Sequence, residues 1–240
     1  MNKKTFQAAL SATIPVMLGY LSIGIAFGVM LQTQAGYNFL WAGGMSVIIY
    51  AGSMQYLAVD LLARGAGLLE VVVMTLLVNS RHMVYGLSML TKFKGMGKRK
   101  WYMIFSLTDE TYALLSSARV PVGVEPKSYY FTIALLDQSY WIMGSLIGAV
   151  AGSLIPFSTQ GIDFAMTALF VVICTDQWLT YPTRIPAILG AACALVALIL
   201  VGASNMLIPA MLALILIFFI GRKQIEPKFD VMKTANGQEG

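Results

Sequence analysis

Five ionisable side chains lie inside or beside apolar runs of this 240-residue chain: Arg81, His82, Asp109, Glu110 and Asp137. A central Arg in a membrane-spanning helix costs about 2.5–3.5 kcal/mol on insertion scales. Four such charges facing lipid would cost on the order of 10 kcal/mol, against about 5–15 kcal/mol for the stability of a whole fold. They must therefore face the protein interior, pair with one another or touch water. Arg81 with one of the acids would make a structural ion pair that holds helices together. The same cluster can line a path for a solute or a proton, and a pair that exchanges partners is also a gate. His82 is the only histidine. Its charge can switch near neutral pH, so a proton-coupled role is open to it, although a lone helical His is often just a satisfied polar residue. On a helix, Asn79 shares a face with His82, and Arg81 shares one with Tyr85.

Backbone breaks are the second source of chemistry. Pro15 and Gly19 can kink or break the first apolar segment, freeing a carbonyl and an amide for a ligand. Gly52-Ser53-Met54-Gln55 interrupts the second, and Gln55 offers both a donor and an acceptor. Each interruption reads equally as a packing kink or as a substrate-binding break. Gly144, Gly148 and Gly152 recur every four residues, and Gly24 and Gly28 do so once. Such faces let helices approach closely in lipid.

The elements that must position these groups are membrane helices. Hydrophobic residues make up 58% of the chain and charged residues 11%, with a mean hydropathy of +0.75. An ordinary soluble domain carries roughly 25% charge, so most of this surface must face lipid. The net charge of +5 does not imply nucleic acid, because the cations sit in tails and loops, at Lys3–Lys4, Lys92 to Lys100 and Arg222 to Lys233. That is the pattern of loops facing anionic headgroups. Cys174 and Cys193 lie in apolar runs and read as packing residues without a disulfide. No metal-ligand cluster and no cofactor motif is visible. The N-terminal apolar run resembles a signal peptide but is long enough to span, so a retained first helix is expected.

The fold class that follows is all-α, a polytopic helical bundle with interrupted helices. Seven apolar segments fall at roughly 8–31, 39–62, 67–91, 128–155, 162–180, 186–202 and 205–221. They form a single transmembrane domain over 1–222 with a polar tail at 223–240. Halves at about 8–92 and 128–221 would be joined by an amphipathic segment, 101–119, and a linker from Arg119 to Lys127. The halves echo one another faintly: Gly24 and Gly28 align with Gly148 and Gly152, Gly36 and Phe39 with Gly161 and Phe164, and Val47–Ile48 with Val172–Ile173. Asn79–Ser80 then falls opposite Ser204–Asn205. An internal repeat of this kind would place a site at the repeat interface. Both tails are basic, which demands an even number of crossings. Three full spans before Lys92 would put Lys92 to Lys100 outside, against the positive-inside rule. One early stretch must then be re-entrant or broken, and the polar run Asn79-Ser80-Arg81-His82 selects 67–91.

The motifs Pro15-x3-Gly19-Tyr20-x3-Gly24-x2-Phe27-Gly28, Ala51-Gly52-x2-Gln55, Asn79-x-Arg81-His82-x2-Tyr85-Gly86, Thr108-Asp109-Glu110-x-Tyr112 and Gly161-Ile162-Asp163-Phe164-Ala165 occur in that order. In them the chain resembles the AzlC family, the large subunit of bacterial branched-chain amino acid exporters. The likeness runs from about Phe6 to Phe219. It implies a multi-pass protein of the bacterial inner membrane that exports valine, leucine or isoleucine, together with a small AzlD-type membrane subunit. The residues themselves reach only a polytopic helical transporter. No nucleotide-binding loop is present, so alternating access without a nucleotide is expected. Arg81, or amides freed near Pro15 and Gly52, would hold a substrate carboxylate. Asp109, Glu110 or Asp137 would meet the ammonium or carry a proton, with His82 a further proton candidate. A second Gly-lined face beyond what one bundle needs, and an exposed apolar side on 101–119, point to a partner as well. A passive channel and a non-transporting structural or signalling subunit are the alternatives. An intramembrane serine enzyme using His82 lacks a nucleophile motif.

Overall fold

The computed structural model describes residues 2–154, 163–180, 184–202, 206 and 209–221. Every regular element among them is helical: α1 (Lys3–Gln34), α2 (Phe39–Ile48), α3 (Gly52–Ala63), α4 (Leu68–Ser88), α5 (Arg99–Phe105), α6 (Asp109–Ser117), α7 (Pro126–Leu154), α8 (Asp163–Thr180) and α9 (Ile185–Val201), then α10 (Pro209–Gly221). Three helices, α1, α4 and α7, are long and apolar enough to cross a membrane. The chain divides into two compact units, Met1–Thr167 and Ala168–Gly240.

The first unit is organised around the pair α1 and α7. Gly24 lies against Gly144 and Ser145, Gly28 against Ser145, Gly148 and Ala149, and Gly152 against Val29 and Gln32. The contacts advance in the same order along both helices, so the two run parallel. The two small-residue faces read from the sequence are thus spent on each other. Glu125 accepts hydrogen bonds from Lys127 N (3.1 Å) and Ser128 N (2.7 Å) and so caps the start of α7. These bonds, chiefly those from Ser128, hold its carboxyl below the usual range.

Two expected breaks are absent. Pro15 lies inside α1 and removes one helical amide, yet the helix is continuous for 32 residues. α4 runs without interruption through Asn79-Ser80-Arg81-His82 for 21 residues, so 67–91 is not the broken stretch. Polar side chains do not stop a helix when their backbone still pairs along it.

The break lies in 39–62, at the interruption that Gly52-Ser53-Met54-Gln55 marks in the sequence. α2 opens on Asn38, whose side chain accepts from Leu40 N at 3.1 Å, and it stops where Tyr50 turns to a positive φ of 42°, a conformation uncommon outside glycine. α2 descends along α7, with Gly43 against Leu146, Ser46 on Ser145 and the Val47 carbonyl on Gln138. α3 then climbs back, with Gly52 against Trp141 and Tyr56 on the Ile23 carbonyl and the Phe27 ring. The pair is a helical hairpin whose tip, Ile49–Ala51, reaches the middle of α7.

The stretch 101–119 forms a second hairpin entering from the opposite end. α5 starts with Arg99 over the Phe131 ring and ends with Phe105 beside the Tyr50 ring, 6.3 Å between centroids. α6 is capped by Thr108, bonded to Tyr20, and returns to Leu115, whose carbonyl accepts from Lys92 Nζ. The two tips therefore touch. Lys4, Lys92, Arg99 and Lys127 gather at the end from which the second hairpin enters. The other end carries Arg64 paired with Asp60 and Glu70. The stretch 119–125 joins α6 to α7 within this unit.

In the second unit α9 and α10 pack antiparallel, Gly190 near Leu214 and Cys193 and Ala197 in one cluster with Ala210. Cys193 is buried and Cys174 exposed; both are free thiols, so the packing role holds for Cys193 only. Gly161, Ile162, Ser204, Asn205, Arg222 and the tail 223–240 lie outside the described residues.

Candidate functional site

The two hairpins bring the starts of two short helices to one place. Gly52 opens α3 and Asp109 opens α6, and unpaired amides at such ends make each a partial positive charge. Arg81 projects from α4 between them. Its guanidinium donates to Ser53 Oγ at the start of α3 and pairs with Asp109 Oδ2 at 2.9 Å. Tyr85, one turn on, donates to Asp109 Oδ1 at 2.7 Å and stacks on Tyr112 with centroids 4.3 Å apart. Thr108 caps α6, accepting from Thr111 N at 3.3 Å. Asp109 and Glu110 in the first turn suit the helix dipole.

The pair is half-buried, with Arg81 and Asp109 side chains 23% and 27% exposed. Within it, Arg81 Nε and the neighbouring Asn79 Oδ1 are buried with no hydrogen-bond partner. A guanidinium held by one carboxylate, with a donor to spare beside two helix starts, can take an anion of carboxylate size.

Behind this ion pair lies a polar core. Glu110 accepts from Tyr20 OH at 2.9 Å, and Tyr20 also bonds Thr108. Thr111 donates to Asp137 Oδ2 at 2.8 Å. Asp137 is fully buried and its Oδ1 has no partner. Gln55 ties the first tip to α7: its Oε1 accepts from Trp141 Nε1 (2.9 Å) and Ala51 N (3.3 Å), and its Nε2 donates to Ser46 Oγ (3.3 Å). Ser46 in turn donates to Ser145 at 2.8 Å. Gln138 accepts from Tyr102 (2.7 Å) and donates to the Val47 carbonyl (3.2 Å), so it touches both hairpins.

Of the residues singled out in the sequence, Arg81, Tyr85 and Asp109 meet directly. Glu110 and Asp137 are joined to each other through Tyr20, Thr108 and Thr111. Gly52 and Gln55 shape the first tip; a Cβ at Gly52 would come 3.2 Å from the Trp141 ring. His82 stands apart, its ring edge-on to Tyr85 at 5.8 Å and beside the Asn79 backbone. Pro15 and Gly19 sit in an unbroken helix, and Gly19 borders open space. Sequence reasoning passed over Tyr20, Tyr50, Thr111, Gln138, Trp141 and Ser145. The stripe Asp137, Trp141, Ser145 at i, i+4, i+8 was the available signal. Among the described residues no three of His, Cys, Asp and Glu converge as metal ligands.

Gln55→Ala would leave the Trp141 and Ala51 donors and the Ser46 hydroxyl short of a partner. Each buried group left unpaired costs roughly 1–3 kcal/mol. A marked drop in the thermal midpoint of the purified protein is expected, with Gln55→Glu recovering less than half of it. A midpoint unchanged in Gln55→Ala would show that the first tip is held by other contacts.

The model of the AzlC protein family matches residues 15–155, the span from Pro15 through both hairpins to the end of α7. The chain is 38% identical over 231 residues to the branched-chain amino acid transport protein AzlC of Bacillus subtilis, covering 94% of this chain and 91% of that one. It is 44% identical over 223 residues to a membrane protein of Helicobacter pylori, covering 93% and 97%. It is 29% identical over 174 residues to the inner membrane protein YgaZ of Escherichia coli, covering 70% and 71%. No solved structure matches. Matched over most of its length by these membrane proteins, the chain belongs to the AzlC family.

Proposed function

We propose that this chain is the large subunit of a secondary transporter that exports branched-chain amino acids of the valine, leucine and isoleucine class. It is not an enzyme, and it works with a small AzlD-type membrane subunit, without nucleotide or other cofactor. The observation that carries the proposal is the near full-length identity to a branched-chain amino acid transport protein. The geometry supplies a chemistry for it. A zwitterionic amino acid needs a cation for its carboxylate, an anion for its ammonium and an apolar wall. Arg81, with the starts of α3 and α6, would take the carboxylate and release Asp109, which with Glu110 would meet the ammonium. The coupling proton would use one of Asp109, Glu110, His82 or Asp137.

The membrane arrangement that suits this function has six crossings in a single transmembrane domain over 1–222, with a polar tail at 223–240. α1, α4 and α7 cross, while 39–62 and 101–119 enter and return as hairpins. The chain is then a multi-pass protein of the bacterial inner membrane. The end bearing Lys4, Lys92, Arg99 and Lys127 faces the cytoplasm, as the positive-inside rule requires. With 39–62 re-entrant, seven apolar segments give six crossings, the even number that two basic tails demand. α1 and α7 would be corresponding helices of two repeated halves, a relation their parallel course favours over an inverted one.

Vesicles containing the purified chain, with and without a co-expressed AzlD-type subunit, test this. Loaded leucine is expected to leave saturably, in competition with valine and isoleucine but not lysine, only when both subunits are present. Non-saturating efflux would make the protein a channel. Saturable export by this chain alone would remove the partner.

A further inference from the structure

Among the described residues of the site, four acidic or imidazole groups could carry a coupling ion, and three are already engaged. Asp109 is held by Arg81 and Tyr85 on its two oxygens. Glu110 accepts from Tyr20. His82 rests on Tyr85 and the Asn79 backbone, outside the polar core. Asp137 differs. It is fully buried, one oxygen takes the Thr111 hydroxyl at 2.8 Å, and the other has no partner. The salt bridges among the described residues are Arg64 with Asp60 and Glu70, and Arg81 with Asp109. None reaches Asp137.

The groups around it are oxygens and rings. Thr111, Thr108 and Glu110 come from α6, Tyr20 from α1, Tyr102 from α5, and Tyr50 from the tip of the first hairpin. The Tyr50 hydroxyl lies near Tyr20, Thr111 and Asp137 without completing a hydrogen bond to any of them. A bare carboxylate so placed would carry an uncompensated desolvation cost of several kcal/mol. Among the described residues no side chain supplies a positive counterpart, and a small cation suits the single open oxygen.

We propose that Asp137, with Thr111 and Tyr50, is the site of one exchangeable monovalent cation, delivered as a proton or as Na⁺, between the two hairpin tips. This deepens the transport reading and rests on it for its purpose. Asp137 stands on α7, which is locked to α1. Thr111 stands on α6 and Tyr50 on the first tip. A cation at Asp137 therefore ties both hairpins to the fixed helix pair, and its departure unties them. That is a differential contact of the kind that can shift a conformational equilibrium.

The test uses the full chain, with its small subunit if co-purified, in lipid nanodiscs and in vesicles. The thermal midpoint is read across pH at fixed K⁺, and across Na⁺ at fixed pH. The wild type is expected to be stabilised by one of the two ions, which names the source. Asp137→Asn, neutral and of the same shape, is expected to respond to neither. In vesicles, Asp137→Asn should keep leucine-for-leucine exchange within about threefold while gradient-driven accumulation falls at least tenfold. Should Asp137→Asn fail to assemble, Thr111→Val is expected to weaken the response to the same ion about tenfold. A wild type indifferent to both ions, or an Asp137→Asn variant with the wild-type response, would overturn the site. A wild type that binds the ion at Asp137 but moves no branched-chain amino acid would uphold the site and remove the transport reading instead.

Discussion

Gly148→Ala is expected to abolish correct assembly. A Cβ at Gly148 would stand 2.0 Å from the Ile25 carbonyl oxygen and 2.8 Å from the Ile25 Cα. These are backbone atoms of a closely packed helix, so no side chain can turn aside. The added methyl must push α1 and α7 apart along the whole Gly-lined seam. Overpacking a well-fitted core costs typically about 1–3 kcal/mol, and here the separation also strips the close packing of Gly24, Gly28, Gly144 and Gly152. The measurement is the fraction of membrane-extracted protein that remains monodisperse on size exclusion, with Gly44→Ala as control because nothing lies within 4 Å of that position. A near-total loss for Gly148→Ala against little change for Gly44→Ala is expected. Equal behaviour of the two would show that the seam tolerates a methyl group.

Arg81→Ala is expected to lower transport by about a hundredfold or more while Arg64→Ala leaves it near normal. Both residues make ion pairs, but Arg64 pairs with Asp60 and Glu70 at an exposed end, where such pairs contribute about 0–1 kcal/mol. Arg81 joins the starts of α3 and α6 and would hold the substrate carboxylate. Among the described residues its removal leaves Asp109 only Tyr85, and it takes away the anchor for the amino acid. Truncating one member of a buried, hydrogen-bonded charge pair weakens binding by about 2–5 kcal/mol. Arg81→Lys keeps the charge but not the fork and is expected to recover only a small part. Export by Arg81→Ala within a few-fold of wild type, at matched expression, would take this residue out of the pathway.

Much of the chemistry was legible because its cost in lipid is large. Arg81 and an acid had to meet, and Asp109 proved to be the acid. The Gly spacing at 24, 28, 144, 148 and 152 announced close helix packing, though not that the two faces would meet each other. The choice of 67–91 as the re-entrant stretch failed for a physical reason. Polar side chains at 79–82 looked disruptive, whereas helices are interrupted by backbone conformation; the break falls at Tyr50, directly before the interruption that Gly52-Ser53-Met54-Gln55 marks in the sequence. The segment 101–119 likewise hid its turn. Thr108 is a good N-cap and Asp109–Glu110 interrupt the apolar run, but without a glycine or proline nearby the sequence did not show that the chain turns back there. Tyr20 and Thr111 join the site only through tertiary contacts, which spacing along one helix cannot reveal.

The first hairpin has a consequence for how the chain is made. Its tip is stitched in place by Gln55, whose partner Trp141 lies 86 positions later. At roughly 5–20 residues per second, the ribosome supplies that partner about 4–17 s after Gln55 itself. Over that interval the Gln55 amide and the Ser46 hydroxyl have no α7 to meet, and hydrocarbon offers them nothing. The nascent hairpin must therefore wait at the membrane surface or against the insertion machinery, and it can sink to its final depth only after α7 has slid alongside α1. A chain released before residue 141 would keep α1 and α4 in the bilayer and leave 39–62 outside the hydrocarbon, open to a protease that the finished protein resists.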